Sequence, residues 1–171
     1  FDGAFLPDDA LPGGPVLGGV GEGWSVAMAT TSSERGLTLR SPGRFTATAD
    51  RLVALYRERA ADPQWDEPTL RDRVVQGWME AEAYRLQTLQ TVTDDAEGRP
   101  AGAASSFTKL WWSELDVALH ETALDILGPD AELDDPWSKG WQFSLSGPIY
   151  AGTNEIQRNI VAERVLGLPR R

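Results

Sequence analysis

The end of the chain holds the residues whose types and spacing best suit chemistry. Gly152 precedes Thr153 and Glu155 where a helix is predicted to begin. A glycine lets the backbone pass close to a ligand, and the free N–H groups of a helix start can hold an anionic group. Thr153 can also cap this helix, and Glu155 suits its dipole. The same residues are therefore also compatible with an ordinary capped helix after a glycine turn.

Other kinds of site find little support in the sequence. The chain has no cysteine, which excludes disulfides, thiolate catalysis and cysteine-based metal sites. His120 is the single histidine, so a transition-metal site would need carboxylates alone. We therefore predict no metal and a structural or solvated His120. The glycine-rich stretch at 13–23 lacks the following lysine of a phosphate-binding loop.

The charge and hydropathy of the chain limit the kinds of partner that it can bind. The net charge of −10 argues against nucleic acid, whose phosphates attract basic surfaces. No stretch reaches the length of a membrane-spanning helix, and no signal peptide is visible at the start. The absence of cysteine fits a reducing, cytoplasmic setting. The first residues read like the middle of a protein, so we expect the chain to be part of a longer one.

The elements that must position the tail are predicted to be helices around one core. Hydrophobic residues make up 41% of 171 positions, which is enough for one packed domain. Helical spacing of apolar residues predicts helices at about 24–39, 45–59, 68–91, 103–127, 136–145 and 153–166. Residues 103–127 are apolar on most sides, which is typical of a central helix. The fold class is therefore all-α, an up-down four-helix bundle, after a connector whose residues 1–6 form a strand or its remnant.

Two segments carry a resemblance to a known family. Residues 147–169 resemble the terminal signature of the acyl-CoA dehydrogenases almost residue for residue, and bacterial members linked to steroid side-chain breakdown have similar tails. Residues 5–9, 21–24 and 34–35 resemble the exit from that family's β-domain and the first helix of its C-terminal bundle. The resemblance implies a β-domain exit strand and linker at 1–22 and the helical bundle at 23–171.

The resemblance also implies a chemistry and partners. Members bind FAD noncovalently and oxidise an acyl-CoA thioester to the trans-2-enoyl-CoA. A carboxylate takes the α-proton, and a hydride leaves the β-carbon for the flavin. The parent would be a homo- or hetero-tetramer, with electron-transfer flavoprotein as its electron acceptor.

Site residues follow from the same resemblance. The backbone N–H of Ala151 would hold the thioester oxygen, with Arg35, Tyr150 and Gly152 also on the substrate side. Gly152, Thr153 and Glu155 lie where the family contacts FAD, and Arg59 would contact the FAD pyrophosphate across a subunit interface. The family's Arg-x-Thr-Phe-Gly and Gln-x-x-Gly-Gly stretches are replaced here at 57–63 and 125–129.

The identity of the catalytic base is open at this point. Ala151 stands where many members place the base glutamate. One reading moves the base to Glu34, which precedes Arg35 on the first helix, as in isovaleryl- and long-chain-type members. A second reading makes this chain a non-catalytic partner subunit in a mixed tetramer. A third is a helical interaction domain that has lost the flavin.

Overall fold

The computed structural model describes residues 2–10, 12–33, 41–99, 102–133 and 135–170. Contacts divide the chain into two units, Phe1–Gly36 and Leu37–Arg171. The described part contains six α-helices and no strand, which confirms the all-α fold class. No helix in this part is both long and apolar enough to cross a lipid bilayer. The predicted domains, 1–22 and 23–171, stay a prediction.

The first unit consists of turns followed by one helix. Residues 2–10 and 12–22 form turns and bends, and α1 spans Gly23–Ser33. The expected strand remnant at 1–6 is not seen in described residues 2–6. A strand forms when its backbone groups pair with a second strand, and none is present in the described ranges.

Three long helices of the second unit alternate in direction. They are α2 (Pro42–Arg59), α3 (Pro68–Ala96) and α4 (Ser105–Leu127). Between α2 and α3, Tyr56 near the end of α2 donates a hydrogen bond to Asp66 just before α3, and Trp78, further along α3, donates to Asp50 in the middle of α2. Between α3 and α4, Arg73 pairs with Asp125, and the rings of Tyr84 and Trp111 meet near the other end. The up-down arrangement expected for these helices is therefore confirmed.

The core lies between α2, α3 and α4. Most of its large side chains come from these helices and are at most 8% exposed: Phe45, Leu52, Tyr56, Val74, Tyr84, Trp112, Leu115, Leu119 and Ile126. The central place predicted for the helix at 103–127 is confirmed, because α4 contacts α2, α3 and both later helices, α5 (Pro136–Ser144) and α6 (Asn154–Ile160).

Two helix ends differ from the sequence prediction. The helix predicted to stop near Thr91 continues to Ala96 as α3. Asp94 lies within its last turn, where its carboxylate accepts from Gln90 and Arg99 and offsets the polar composition that suggested a loop. The last predicted helix, 153–166, is α-helical only to Ile160 and continues as a π-helix over Val161–Val165.

His120 has a structural place, as predicted. Its ring is 4% exposed and lies 5.6 Å from the Trp137 ring. Nδ1 lies 2.8 Å from the backbone oxygen of Asp116, one turn earlier on α4. Gly140 on α5 faces the opposite side of the ring. A Cβ atom at that position would stand 2.5 Å from His120 Cδ2 and closer still to Nε2.

Gly140→Ala is therefore expected to destabilise the protein. The added methyl group forces a buried, hydrogen-bonded ring to move, and such overpacking costs about 1–3 kcal/mol. The higher helix propensity of alanine offsets at most about 1 kcal/mol of this loss. Urea unfolding measures the net loss. Gly43→Ala is the control, since a Cβ there meets only Ser41 Oγ, at 3.6 Å. Equal midpoints for both variants would contradict the prediction.

Candidate functional site

The tail turn, defined as residues 147–153, connects α5 to α6 through two left-handed residues. Ala151 has a φ of +55° and Gly152 a φ of +83°. Ala151 is the single non-glycine residue with positive φ in the described ranges. An alanine in this region is held there by its surroundings, because the conformation is disfavoured for residues that carry a Cβ.

The turn rests on α4. A Cβ at Gly147 would stand 3.0 Å from the Ser144 oxygen and 3.2 Å from the Trp112 ring, so the backbone passes close to both. The ring of Tyr150 lies 5.9 Å from that of Trp112. Trp112 is 4% exposed and belongs to the core. The core therefore supports the tail turn directly.

Asn154 joins the start of α6 to α4. Its Oδ1 accepts from Lys109 Nζ at 2.6 Å and from Ser113 Oγ at 3.1 Å. Its side-chain amide donates to Glu114, and its backbone N–H donates to the Pro148 oxygen at 2.9 Å. Asn154 is 4% exposed, so its bonds to the buried Lys109 and Ser113 are shielded from water and worth more than surface bonds.

Lys109 is a buried cation beside the turn. The residue is 1% exposed and its ammonium group lies 5.8 Å from the Trp112 ring centre. Burial lowers the pKa of Lys109 below its ordinary value, and the nearby charges of Glu155 and Glu114 oppose this shift. A buried lysine needs hydrogen-bond acceptors, and Asn154 supplies one.

Thr153 and Glu155 begin α6 in the way their types predict. Thr153 Oγ1 accepts from the backbone N–H of Ile156 at 3.4 Å. The hydrogen bond from its own backbone N–H lowers the pKa of the Glu155 carboxyl, and the Thr153 hydroxyl and the charges of Arg158 and Lys109 add to the effect. Glu155 and Gly152 are exposed. The tail turn and the start of α6 therefore expose the Gly152 backbone, which carries no side chain, and the ionised Glu155 carboxylate.

A groove runs beside the same helix. Its volume is about 410 Å³, and its walls come from α3, α4 and α6. Arg158 forms an ion pair with Glu114 at its edge. The lining combines aromatic and charged side chains: Glu80, Phe107, Leu110, Trp111, Glu114 and Arg158.

The other predicted site residues lie elsewhere. Arg59 Nη2 donates to the Leu127 oxygen at 3.0 Å and to Asp130 at 2.7 Å. Leu127 follows Ser113 on α4 by about 21 Å at 1.5 Å per residue, so the structure does not bring Arg59 to the tail turn. Tyr150, Ala151, Gly152, Thr153 and Glu155 do lie together. Glu34 and Arg35 fall outside the described residues.

Four buried polar residues escaped the sequence analysis: Lys109, Ser113, Asn154 and Gln157. Gln157 Nε2 donates to the oxygens of Ala151 and Gly152. The sequence did indicate two of them. Lys109 and Ser113 are one turn apart on a helix predicted to be buried, where polar groups need partners. Those partners come from a segment about 40 residues later, and helical spacing within one element does not identify them.

Comparisons with known proteins agree with this architecture. The acyl-CoA dehydrogenase C-terminal domain family matches residues 21–166. "Acyl-CoA dehydrogenase IpdE1" of Mycobacterium tuberculosis is 38% identical over 99% of this chain, which covers 44% of that protein. The chain thus spans less than half of this relative.

Solved structures share the fold at lower identity. The Tcur3481-Tcur3483 steroid ACAD structure has a TM-score of 0.68 at 21% identity, covering 94% of this chain and 44% of that one. The structure called "FAD complex of PigA" has a TM-score of 0.72 at 23% identity, covering 89% and 40%. With the family match spanning residues 21–166, this chain belongs to the acyl-CoA dehydrogenase family and contains its C-terminal helical domain.

Proposed function

We propose that the chain is the C-terminal part of an FAD-dependent enzyme that oxidises an acyl-CoA thioester to the trans-2-enoyl-CoA. The observation that carries the proposal is the tail turn, where residues of the family's terminal signature form a hydrogen-bonded loop and Gly152 and Glu155 are exposed at the start of α6. The relative IpdE1, itself named an acyl-CoA dehydrogenase, aligns with 99% of the chain. Because less than half of that relative is covered, the activity concerns the full-length protein.

The residues of the tail turn fit the flavin on one side. Gly152 is exposed and has no side chain to obstruct a ligand, and Thr153 and Glu155 stand beside it at the start of α6. These residues would hold FAD, which supplies the acceptor for a hydride from the substrate β-carbon. Arg59 suits a contact with FAD less well, because its guanidinium already donates hydrogen bonds to the Leu127 oxygen and the Asp130 carboxylate.

The substrate side uses the backbone of Ala151. Its N–H donates to the thioester oxygen and stabilises the negative charge that grows there as the α-proton leaves. A fixed donor is effective because it needs no reorganisation during the reaction. Tyr150 supports it through its contact with Trp112. Glu34 is the base in this scheme, and Arg35 lies beside it in sequence.

An exposed apolar stripe on α3 favours an oligomer. Six large apolar residues on this helix are at least 43% exposed: Val75, Trp78, Met79, Leu86, Leu89 and Val92. Surfaces of this kind mark interaction sites in soluble proteins. The stripe supports the tetramer that the family resemblance implies, in homomeric or mixed form. Electron-transfer flavoprotein remains the proposed electron acceptor.

A second candidate function is a non-catalytic subunit beside a catalytic one. Ala151 favours it, because an alanine side chain cannot take a proton at the position where many members carry the base. The matched Tcur3481-Tcur3483 structure, a steroid ACAD, is named for two components. In that case the flavin site would be completed by a related chain.

Anaerobic bleaching of the flavin tests these alternatives. The full-length protein is purified, its flavin is measured by absorbance, and a panel of acyl-CoAs is added without oxygen. Bleaching supports the dehydrogenase. Bound flavin that no acyl-CoA bleaches supports the partner subunit. A protein that takes up no added FAD, either alone or with a related catalytic chain, contradicts both and leaves the helical interaction domain.

A further inference from the structure

Gln157 is a fully buried amide whose orientation is fixed. The residue is 0% exposed, and its Nε2 donates to the Ala151 oxygen at 3.1 Å and the Gly152 oxygen at 3.3 Å. Both partners are carbonyls, so only the NH₂ end of the side chain can face them. The reverse orientation would place Oε1 against two carbonyl oxygens. Oε1 is instead a buried acceptor without a hydrogen bond in the described ranges.

The unpaired Oε1 makes this arrangement unfavourable, and a side chain that served packing alone would not need to be a glutamine. An unpaired buried acceptor lowers the stability of the fold, and an apolar side chain of similar volume would avoid that loss. What glutamine adds at this position is a pair of N–H donors directed at two consecutive carbonyl groups. The role of the side chain therefore lies in those two bonds.

The two bonds act on the strained part of the tail turn. Ala151 and Gly152 both have positive φ, and the Gln157 amide holds the peptide group that follows each of them. The Ala151 N–H belongs to the peptide group that joins Tyr150 to Ala151. The peptide group before that one is held by the Tyr150 N–H, which donates to the Ser146 oxygen at 3.1 Å. Because the peptide groups before and after the Tyr150–Ala151 peptide are both held by hydrogen bonds, the direction of the Ala151 N–H is fixed.

The helix that carries Gln157 is itself attached to the core. Asn154 and Gln157 are three residues apart and share one face of α6. Lys109 and Ser113 hold Asn154 against α4. The helix that carries Gln157 is thus fixed to the core before the amide reaches the turn.

We propose that Gln157 is a positioning residue, which holds Ala151 in the left-handed region so that its backbone N–H points at the substrate carbonyl. The inference rests on the proposed function for its catalytic meaning. Its structural part, that Gln157 holds the turn, stands independently of any reaction.

Gln157→Met in the full-length protein tests the inference. Methionine keeps the length and volume but has no donor, so the peptide covering residues 147–157 should lose protection in hydrogen–deuterium exchange. The rate of flavin reduction should fall by about tenfold to a hundredfold, the range for a misplaced catalytic group, with a smaller change in KM. Gln76→Met is the control, because the amide of Gln76 is exposed and donates to Glu80 on the same helix.

Gln157→Glu supplies a readout that a packing role would not give. An ionised carboxylate can only accept hydrogen bonds and repels the two carbonyls, whereas a protonated acid has one O–H to donate. Protection of the turn and the reduction rate should therefore rise as the pH falls, relative to Gln157→Met measured at the same pH. If Gln157→Met does not fold, the wild type measured at the same pH serves as the reference for Gln157→Glu.

The outcomes separate the two proposals. Unchanged protection of the turn in Gln157→Met, or a reduction rate equal to that of Gln76→Met, overturns the positioning role. So does a Gln157→Glu variant with the same pH dependence as Gln157→Met. A wild type that binds flavin without bleaching overturns the proposed catalytic function alone, and hydrogen exchange then decides whether Gln157 holds the turn.

Discussion

Glu34→Gln is expected to slow flavin bleaching by acyl-CoA about a thousandfold, within the usual range for loss of a general base. Glutamine has the shape of glutamate but cannot take the α-proton. The rate is measured by stopped-flow absorbance of the anaerobic full-length protein. Flavin content should stay unchanged, since Glu34 is proposed to act on the substrate and not to hold the cofactor.

A second variant places a base at the other position used in the family. Glu34→Gln/Ala151→Glu should recover part of the lost rate. Ala151 already has a φ of +55°, and a glutamate there adopts the same backbone with little added strain. Glu132→Gln, an exposed glutamate, is the control for a charge change. Bleaching at the wild-type rate in Glu34→Gln would show that Glu34 is not the base.

Arg44→Met should lower the free energy of unfolding by about 3 kcal/mol, the low end for removing one partner of a buried pair. Arg44 Nη2 lies 2.7 Å from Asp116 Oδ2, and the Asp116 side chain is 2% exposed. Without the guanidinium, the buried Asp116 carboxylate loses this ion pair, although His120 Nδ1 still lies 3.4 Å from its Oδ1. The Arg44 side chain is itself 33% exposed, so water reduces the penalty. Urea unfolding of the protein measures the change.

Two further variants identify the cause of that loss. Arg44→Met/Asp116→Asn removes both charges and should be more stable than Arg44→Met alone. Arg73→Met breaks an ion pair of similar length whose side chains are 44% and 57% exposed, and pairs of this kind contribute at most about 1 kcal/mol. Equal losses in Arg44→Met and Arg73→Met would mean that burial of Asp116 does not determine the effect.

Much of the fold followed from local sequence patterns. Apolar residues at helical spacing predicted α2, α4 and α5 to within a few residues, because packing of an apolar face is the main source of helical stability in proteins. The end of α3 was missed, since side-chain bonds of Asp94 within the last turn stabilise a helix that its polar composition disfavours.

The sequence alone determined the family and the order of elements, because the terminal signature and the spacing of apolar residues are both local properties of the chain. The tertiary structure decided what holds the tail turn. Lys109 and Asn154 are 45 residues apart in sequence and become partners only when α6 lies against α4. Gln157 acquires its role in the same way, because a φ of +55° at Ala151 depends on bonds that form only after the chain has folded. Arg59 depends on tertiary packing in the same way, since its bonds to the Leu127 oxygen and to Asp130 join residues 68 and 71 positions apart in sequence.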